Sequence, residues 1–275
     1  MSHSDNINLF EPQVMAIVNV TDDSFYDGCR TISDDDIFRR VGDVLNQGAT
    51  IVDVGGYSSR PGAVDITPEQ EWQRVRRGLT IVRELSKDVV VSVDTFRADV
   101  ARRAIEEFGW LIINDISAGE LSSDMIDVVA SAQVPYIAMH MRGTPQTMQQ
   151  MTEYGADIVG QVCQYFQQRV EFLKSKGVGQ LILDPGFGFA KSVEQNYQLL
   201  AHLNELCDMG YPVLVGLSRK SMIYKPLGIT PADALAGTVS LDWEALRQGA
   251  TILRVHDVRE AVEQVKLYKM LSMVG

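Results

Sequence analysis

The sequence predicts a single α/β domain folded as a (β/α)8 TIM barrel, with eight parallel strands inside a ring of outer helices. Three observations favour this class. Short apolar runs alternate with amphipathic stretches, eight such runs occur in a chain of 275 residues, and each run ends in a polar residue. Eight strand–helix units in roughly 250 residues are typical of this barrel.

The eight apolar runs are continuous and do not alternate with polar residues, as expected for parallel strands covered on both faces. In chain order the predicted strands are Val14–Val20, Thr50–Val54, Val89–Val93, Leu111–Ile113, Tyr136–Met139, Leu181–Leu183, Val213–Gly216 and Thr251–Val255.

Amphipathic stretches between the runs predict the helices. They are Ile37–Gln47, Pro68–Leu85, Arg97–Phe108, Asp157–Lys176, Val193–Met209, Ala232–Arg247 and Val258–Leu271. Thr67, Ser192 and Thr230 precede helical stretches and have the chemistry of N-caps. Glycines are expected to stop four of the helices in a left-handed conformation, at Gly48, Gly177, Gly210 and Gly249. The phrase Gly-Ala-Thr-Ile occurs at Gly48–Ile51 and Gly249–Ile252, which indicates one helix-to-strand connection used twice.

The chain shows no internal linker, low-complexity segment or charge block. We therefore expect a short N-terminal extension over residues 1–13 and one barrel domain over residues 14–275. An open doubly wound sheet is the competing fold, but it would not need a polar residue at the end of every strand.

The composition argues against several classes of protein. The net charge is −11 and the sequence pI about 4.8, which disfavours partners such as nucleic acid or an anionic membrane surface. Residues 1–13 are polar and acidic, so we expect no signal peptide, and no apolar run approaches the roughly 20 residues that cross a membrane. Cys29, Cys163 and Cys207 are scattered and odd in number, which favours free thiols over a disulfide or zinc site. We therefore expect a cytoplasmic protein.

Polar residues end the apolar runs. They are Asn19, Asp53, Asp94, Asn114, His140, Asp184, Ser218–Ser221, Arg254 and His256. In a barrel these strand ends converge on the face that carries active sites. Strands also stop wherever polarity begins, and Asp and Asn are common in turns, so any single position is ambiguous. Arg254 is more telling, because it lies inside the apolar run Thr251–Val255, where a charge is costly unless it is paired or used.

The residue types indicate a ligand with two halves. Asp94, Asn114 and Asp184 suit a flat heterocycle with amide and amino edges, and Lys220 adds a cation or donor. A second group of side chains would form an anion site for phosphate oxygens, namely Asn19, Arg60, Arg254 and His256.

Three loops follow strands and contain glycine, at residues 19–28, 53–62 and 184–191. The first two are expected to be mobile polar loops, and in the third Phe189 could offer a ring to an aromatic substrate. None carries a dinucleotide or ATP-binding signature.

Together these motifs resemble the dihydropteroate synthases. Asn19–Thr21, Asp23–Phe25 and Asp27–Gly28 match the first signature of that family, and Asp53–Gly56 with Ser58 and Arg60–Gly62 match the second. Further matches follow in order at Ser92–Thr95, Ile112–Ile116, Met139–Met141, Asp184–Phe189, Ser218–Ser221 and Arg254–Asp257. The resemblance runs from about Val14 to the last helix.

The resemblance implies a role for each matched residue. The pterin would be held by Asp94, Asn114, Asp184, Lys220 and Arg254. The diphosphate would be held by Asn19, Arg60, Arg254 and His256, with the cofactor Mg²⁺ on Asn19. The 4-aminobenzoate would lie against Phe25, Ser59, Pro61, Phe189, Lys220 and Ser221. The catalytic residues would be Asp94, Asp27, Lys220 and Arg254.

The implied activity is the condensation of (7,8-dihydropterin-6-yl)methyl diphosphate with 4-aminobenzoate. The products would be 7,8-dihydropteroate and pyrophosphate, formed in folate biosynthesis by a dissociative substitution in which Asp94 and Asp27 stabilise a pterin-methyl cation. Family resemblance also implies inhibition by sulfonamides and a homodimer packed through late barrel helices.

The sequence departs from the family pattern at four positions in the first two loops. Asp22 replaces the usual proline, Tyr26 a small polar residue, Tyr57 the usual glutamate and Ser59 the usual threonine. Two alternatives stay open. A methyltetrahydrofolate- or pterin-binding methyltransferase-type module would share the pterin-face carboxylates and Asn, and the loop departures support a non-catalytic paralogue.

Overall fold

A computed structural model describes residues 7–21, 33–59 and 63–274. Within these residues eight strands pair in parallel and helices lie between them, which confirms the predicted barrel. The strands are β1 (Gln13–Asn19), β2 (Ile51–Gly55), β3 (Val90–Asp94), β4 (Ile112–Asp115), β5 (Tyr136–Met139), β6 (Leu181–Asp184), β7 (Leu214–Val215) and β8 (Ile252–Val255).

The outer helices follow in the same order. They are α1 (Asp34–Asn46), α2 (Pro68–Leu85), α3 (Ala98–Phe108), α4 (Met125–Ala132), α5 (Ile158–Ser175), α6 (Val193–Ala201), α7 (Leu203–Cys207), α8 (Ser221–Leu227), α9 (Leu235–Arg247) and α10 (Val258–Ser272). The longest of them are amphipathic helices that bury one face against the strands.

The sheet closes on itself, which rules out the open doubly wound alternative. Strands are hydrogen-bonded in the order β6-β5-β4-β3-β2-β1-β8-β7. The two ends of this order meet through a parallel bridge between Leu183 and Val213, and the Leu183 N–H donates to the Pro212 carbonyl over 2.9 Å.

One apolar residue from every strand fills the barrel at the amino-terminal end. This layer consists of Met15, Ile51, Val90, Ile112, Ile137, Ile182, Leu214 and Ile252. Ile7 and Leu9 pack against the same layer. Because side chains alternate along a strand, the next inward positions are two residues further on. In β2, β3, β4, β6 and β8 these positions are polar, namely Asp53, Ser92, Asn114, Asp184 and Arg254.

Capping chemistry explains where several helices begin and end. Thr67 and Ser192 are N-caps, as predicted, and each also forms a complete capping box with a glutamine three residues later. Thr230 does not cap α9 directly; it precedes a short 3₁₀ turn at Pro231–Asp233, and α9 begins at Leu235. The glycines predicted to stop helices all have positive φ, between 81° at Gly210 and 104° at Gly249.

The repeated Gly-Ala-Thr-Ile phrase is indeed one connection used twice. The Thr50 hydroxyl accepts from the Val14 N–H over 3.1 Å, and the Thr251 hydroxyl accepts from the Val213 N–H over 3.2 Å. Each threonine therefore ties the start of its own strand to the neighbouring strand.

Four helical details differ from the sequence prediction. Helix α1 begins three residues early, because Ser33 and Asp36 form a capping box and three aspartates favour the positive end of the helix dipole. The predicted helix Val193–Met209 divides at His202 into α6 and α7. Helices α4 and α8 were not predicted; α4 is short, and α8 contains Pro226, which resembles a stop signal.

Candidate active site

The carboxyl ends of the strands bring the predicted pterin residues onto one barrel face. In the strand register Gly55 pairs with Asp94, and Asp94 pairs with Asn114. Asp184 ends β6 opposite Met139 of β5. All of these positions have the same inward parity as the apolar layer below them, so their side chains enter the barrel mouth.

Arg254 joins two carboxylates across the mouth. Its Nε lies 2.7 Å from Asp53 Oδ2, and one of its terminal nitrogens lies 2.6 Å from Asp94 Oδ2. Asp53 is fully buried and also accepts from Asn114 Nδ2 over 3.2 Å. Burial lowers the pKa of Arg254, but Asp53 and Asp94 outweigh it, so the net shift is upward and the guanidinium stays charged.

Asp94 titrates close to neutrality. Burial raises the pKa of Asp94 to about 7, against the opposing charge of Arg254, and the nearby Asp53 carboxylate adds to the rise. Its side chain keeps 24% of its surface exposed and so can still meet a ligand.

Asp184 and Lys220 are two further ionisable residues at the mouth, and they interact electrostatically. Burial raises the pKa of Asp184, and Lys220 opposes that shift; burial also lowers the pKa of Lys220 to about 8. The Lys220 ammonium donates to the Phe187 carbonyl and lies 4.9 Å above the Phe189 ring. Gly188 makes this approach possible, because it has φ +80° and a Cβ there would lie 3.1 Å from the Lys220 side chain.

Asn19 lies where oxygen ligands could hold a small cation. A Cβ on Gly55 would be 3.5 Å from Asn19 Oδ1 and 3.7 Å from Asp94 Oδ2, so the two oxygens lie on the same side of this glycine. Asp94 Oδ2 already accepts from Arg254, which leaves Asn19 Oδ1 as the available donor. Mg²⁺ prefers such hard oxygen donors and usually takes only one or two from protein, with water and phosphate completing its shell. The donor chemistry therefore fits, although the described part of the chain has no cluster of three acidic, histidine or cysteine ligands.

Hydrogen bonds to the backbone and one ion pair position the remaining residues of the mouth. The His256 N–H donates to Ser218 Oγ over 3.2 Å, and Arg40 donates to the His256 carbonyl over 2.9 Å. Arg219 pairs with both oxygens of Asp257 at 2.8 and 2.9 Å, which fixes the turn before Lys220. Ser221 is the first residue of α8, and Ser59 is the last described residue of its loop before the gap.

Several predicted residues lie outside the described residues. They are Asp22, Phe25, Tyr26, Asp27, Cys29, Arg60 and Pro61. Their assignments stay predictions.

The structure shows what Tyr57, which departs from the family pattern, contacts in this protein. Its hydroxyl accepts from Gln146 Nε2 over 3.1 Å, and its ring packs edge-on against Phe96 with centroids 5.1 Å apart. The Arg97 guanidinium lies 5.1 Å from the centre of the Tyr57 ring, while Arg97 Nη1 pairs with Oε2 of the buried Glu71 at 2.6 Å. Tyr57 thus ties the loop after β2 to the loops after β3 and β5.

His140 is a strand-end residue that turns away from the mouth. Met139 before it has inward parity, so His140 points outward and packs edge-on against Tyr165, with centroids 4.8 Å apart. The alternation of side chains along β5 is sufficient to predict that His140 points outward, whereas the position at which the apolar run ends gives no such information.

Sequence reasoning assigned no role to Asp53, Ser92 or Lys191. Asp53 lies inside an apolar strand, so the argument that singled out Arg254 applies equally to it, and the two prove to be partners. Ser92 is its register partner on β3, and within the described structure both Ser92 Oγ and Asp53 Oδ1 are buried without a hydrogen-bond partner.

Comparison with known proteins agrees with this fold. Residues 15–256 match the family model described as pterin binding enzyme. The dihydropteroate synthase of Escherichia coli (strain K12) is 41% identical over 267 residues, covering 95% of this chain and 92% of the relative. That of Synechocystis sp. is 42% identical over 257 residues, covering 92% and 87%.

Solved structures give the same result. The Yersinia pestis dihydropteroate synthase in a sulfonamide drug complex has a TM-score of 0.89 and 38% identity, covering 97% of this chain and 96% of that one. The Xanthomonas albilineans enzyme in complex with 7,8-dihydropteroate has a TM-score of 0.85 and 34% identity, covering 97% and 95%. The chain therefore belongs to the pterin-binding enzymes and, among them, to the dihydropteroate synthase family.

Proposed function

We propose that this chain joins (7,8-dihydropterin-6-yl)methyl diphosphate to 4-aminobenzoate and releases pyrophosphate. The observation that carries the proposal is the charged cluster at the barrel mouth, where Arg254 bridges Asp53 and Asp94 beside Asp184 and Lys220. This cluster supplies acceptors and donors for a pterin edge together with cations for an anion. Relatives about 40% identical over most of the chain are dihydropteroate synthases.

Five of the described residues would hold the pterin. Asp94 and Asp184 accept the N–H groups of its amino and amide edge, and Lys220 donates to it. Asn114 donates through Nδ2 to Asp53, which leaves its Oδ1 to accept from the ring. Arg254 is held flat between Asp53 and Asp94, so its planar guanidinium can stack on the pterin face.

The diphosphate would lie on the side of Asn19, His256 and Arg254, with Arg60 joining from the second loop. When bound at Asn19, Mg²⁺ would neutralise the diphosphate and make it a better leaving group. Arg254 adds a fixed positive charge, since its pKa lies above its ordinary value.

The aminobenzoate would lie between the loops after β2, β6 and β7. Phe189 offers a ring beneath the Lys220 ammonium, and Ser221 begins α8 beside it. Ser59 brings a hydroxyl from the second loop. Phe25 and Pro61 are proposed for the same pocket on family resemblance alone.

A dissociative substitution fits these charges. The bond between the methylene carbon and the diphosphate oxygen breaks, and its electron pair leaves with pyrophosphate. The cation left on the pterin-methyl group would be stabilised by Asp94 and Asp27. The aryl amine nitrogen then forms the new C–N bond and loses a proton, so no strong general base is needed.

A pyrophosphate-release assay tests the proposal. With Mg²⁺ and both substrates, we expect pyrophosphate and dihydropteroate in equal amounts, and omission of 4-aminobenzoate should abolish the second product. Pterin binding without turnover under these conditions would contradict the synthase and support a pterin-binding module or a non-catalytic paralogue.

We further propose that two chains form a homodimer. The support is an exposed apolar face near the end of α10, where Leu267, Met270 and Leu271 are between 59% and 67% exposed. Sedimentation of the wild type against Leu267→Glu would test this; a monomeric wild type would contradict it.

A cytosolic location is proposed on the cysteines alone. Cys163 and Cys207 are free thiols, as expected in a reducing compartment. Separately, the described helices include no segment with the length and apolarity to cross a membrane.

A further inference from the structure

Lys191 places a buried amino group against the loop after β6, and burial lowers the pKa of Lys191 to about 7. Its exposed fraction is 6%, and its Nζ lies 3.0 Å from the Gly186 carbonyl and 3.1 Å from the Phe189 carbonyl. His140 Nδ1 lies 3.1 Å from the same nitrogen. The His140 carbonyl lies 3.4 Å away, so the three protons of an ammonium have enough acceptors here.

His140 is suited to act as an acceptor. Desolvation and the charge of Lys191 hold the pKa of His140 well below its ordinary value, so the ring is neutral. In the tautomer protonated at Nε2, Nδ1 has a lone pair and accepts from Lys191. The ring is 3% exposed and packs with Tyr154, Tyr165 and Phe166, which fixes its orientation.

The same loop contacts the active site on its other side. The Gly186 N–H donates to Asp184 Oδ1 over 2.8 Å, and the Phe187 carbonyl accepts from Lys220. Gly186 has φ +70° and a Cβ there would lie 2.1 Å from the His140 carbonyl, so this loop fits against β5 only with glycine at that position. Lys191 therefore hydrogen-bonds to one side of this loop, and the other side of the same loop contacts Asp184 and Lys220.

We propose that Lys191 is a positioning residue for pterin binding. With His140 as an acceptor of fixed orientation, Lys191 fixes the backbone of residues 186–189. That backbone in turn holds Asp184 and Lys220 in the positions in which they bind the pterin. Lys191 acts through that loop and does not itself touch substrate. The inference rests on the proposed function, and it requires only that the site binds a pterin, whether or not turnover occurs.

Calorimetric titration of a pterin tests this, because binding can be measured whether or not turnover occurs. We expect Lys191→Met to weaken pterin binding about tenfold or more, the equivalent of one lost hydrogen bond. Lys87→Met, an exposed lysine at the opposite end of the barrel, is the matched control and should bind as wild type does.

Steady-state kinetics separate positioning from a merely structural role. For Lys191→Met we expect the KM for the pterin diphosphate to rise about tenfold while kcat changes less than threefold. This is the pattern expected when the bound ground state and the transition state lose the same binding energy. A variant with a lowered Tm but wild-type pterin Kd and KM would overturn the proposal. Inactive wild-type enzyme would instead contradict the proposed function and leave the calorimetric test valid.

His140→Phe provides a second variant in case Lys191→Met does not fold. It keeps a ring among Tyr165 and Phe166 but removes the acceptor for Lys191. We expect pterin binding to weaken at least threefold; wild-type affinity in His140→Phe would overturn the proposed pair. Where both variants fold, the double variant should lose less affinity than the two single losses combined.

Discussion

Replacement of Asp53 by alanine tests whether this buried carboxylate organises the pterin pocket. Asp53 accepts from Arg254 Nε at 2.7 Å and from Asn114 Nδ2 at 3.2 Å, and it is itself fully buried. Asp53→Ala therefore leaves a buried amide without its acceptor and leaves Arg254 with Asp94 as its remaining carboxylate.

The expected loss can be worked out from these contacts. A hydrogen bond to a charged group contributes about 1.5–3 kcal/mol, and an unsatisfied buried amide costs about 1–3 kcal/mol. Breaking a buried ion pair outright costs about 3–5 kcal/mol, but Arg254 keeps Asp94, so its share is smaller. We expect the free energy of unfolding to fall by about 3 kcal/mol and pterin affinity to fall at least tenfold.

Denaturant unfolding followed by circular dichroism measures the first quantity, and pterin calorimetry measures the second. Asp53→Asn should be milder, because its amide oxygen can still accept both hydrogen bonds although the charge is lost. Asp88→Ala at an exposed loop position is the control. Wild-type stability and pterin affinity in Asp53→Ala would refute the reasoning that Asp53 positions Arg254 and Asn114.

Four further outcomes are expected. Asp184→Ala should abolish detectable pterin binding while circular dichroism shows a folded protein, and unchanged affinity by calorimetry would rule out this pocket. Sulfate or pyrophosphate should raise the Tm of the wild type by linkage, and Arg254→Ala should lose most of that protection; equal protection would place the anion elsewhere. The pH profile of kcat/KM should be a narrow bell, because Asp94 is ionised above about 7 and Lys220 is charged below about 8. Activity should therefore fall as pH drops through 7 and as it rises through 8. In Asp94→Asn the fall of activity at low pH should be absent. A wild-type profile that is flat from pH 6 to 9 would contradict this assignment. Aminobenzoate should bind weakly alone and much more tightly with pterin and Mg-pyrophosphate present, so equal affinity under both conditions would exclude ordered binding.

Much of the site could be predicted from the sequence, because strand parity and strand ends are local properties. Asp94, Asn114 and Asp184 follow apolar runs, and a parallel barrel brings all such ends to one face whatever their distance along the chain. Helix caps at Thr67 and Ser192 were equally local, since a capping box needs only residues three apart.

The partners of these residues could not be predicted in this way. Asp53 and Arg254 are 201 residues apart, and only barrel closure places a carboxylate of β2 beside a guanidinium of β8. Their types alone could indicate that each needs a partner, because an unpaired buried charge is too costly, but not which partner it would find.

The sequence by itself determined the alternation of strands and helices, the inward polar positions and the family motifs. Tertiary structure alone decided the partners of His140, which are Tyr165 and Lys191, and the bridge that Tyr57 makes to Gln146. The physical reason is that hydrophobic periodicity and capping act over a few residues, whereas pairing of buried charges and loop contacts depends on how the closed barrel brings distant segments together.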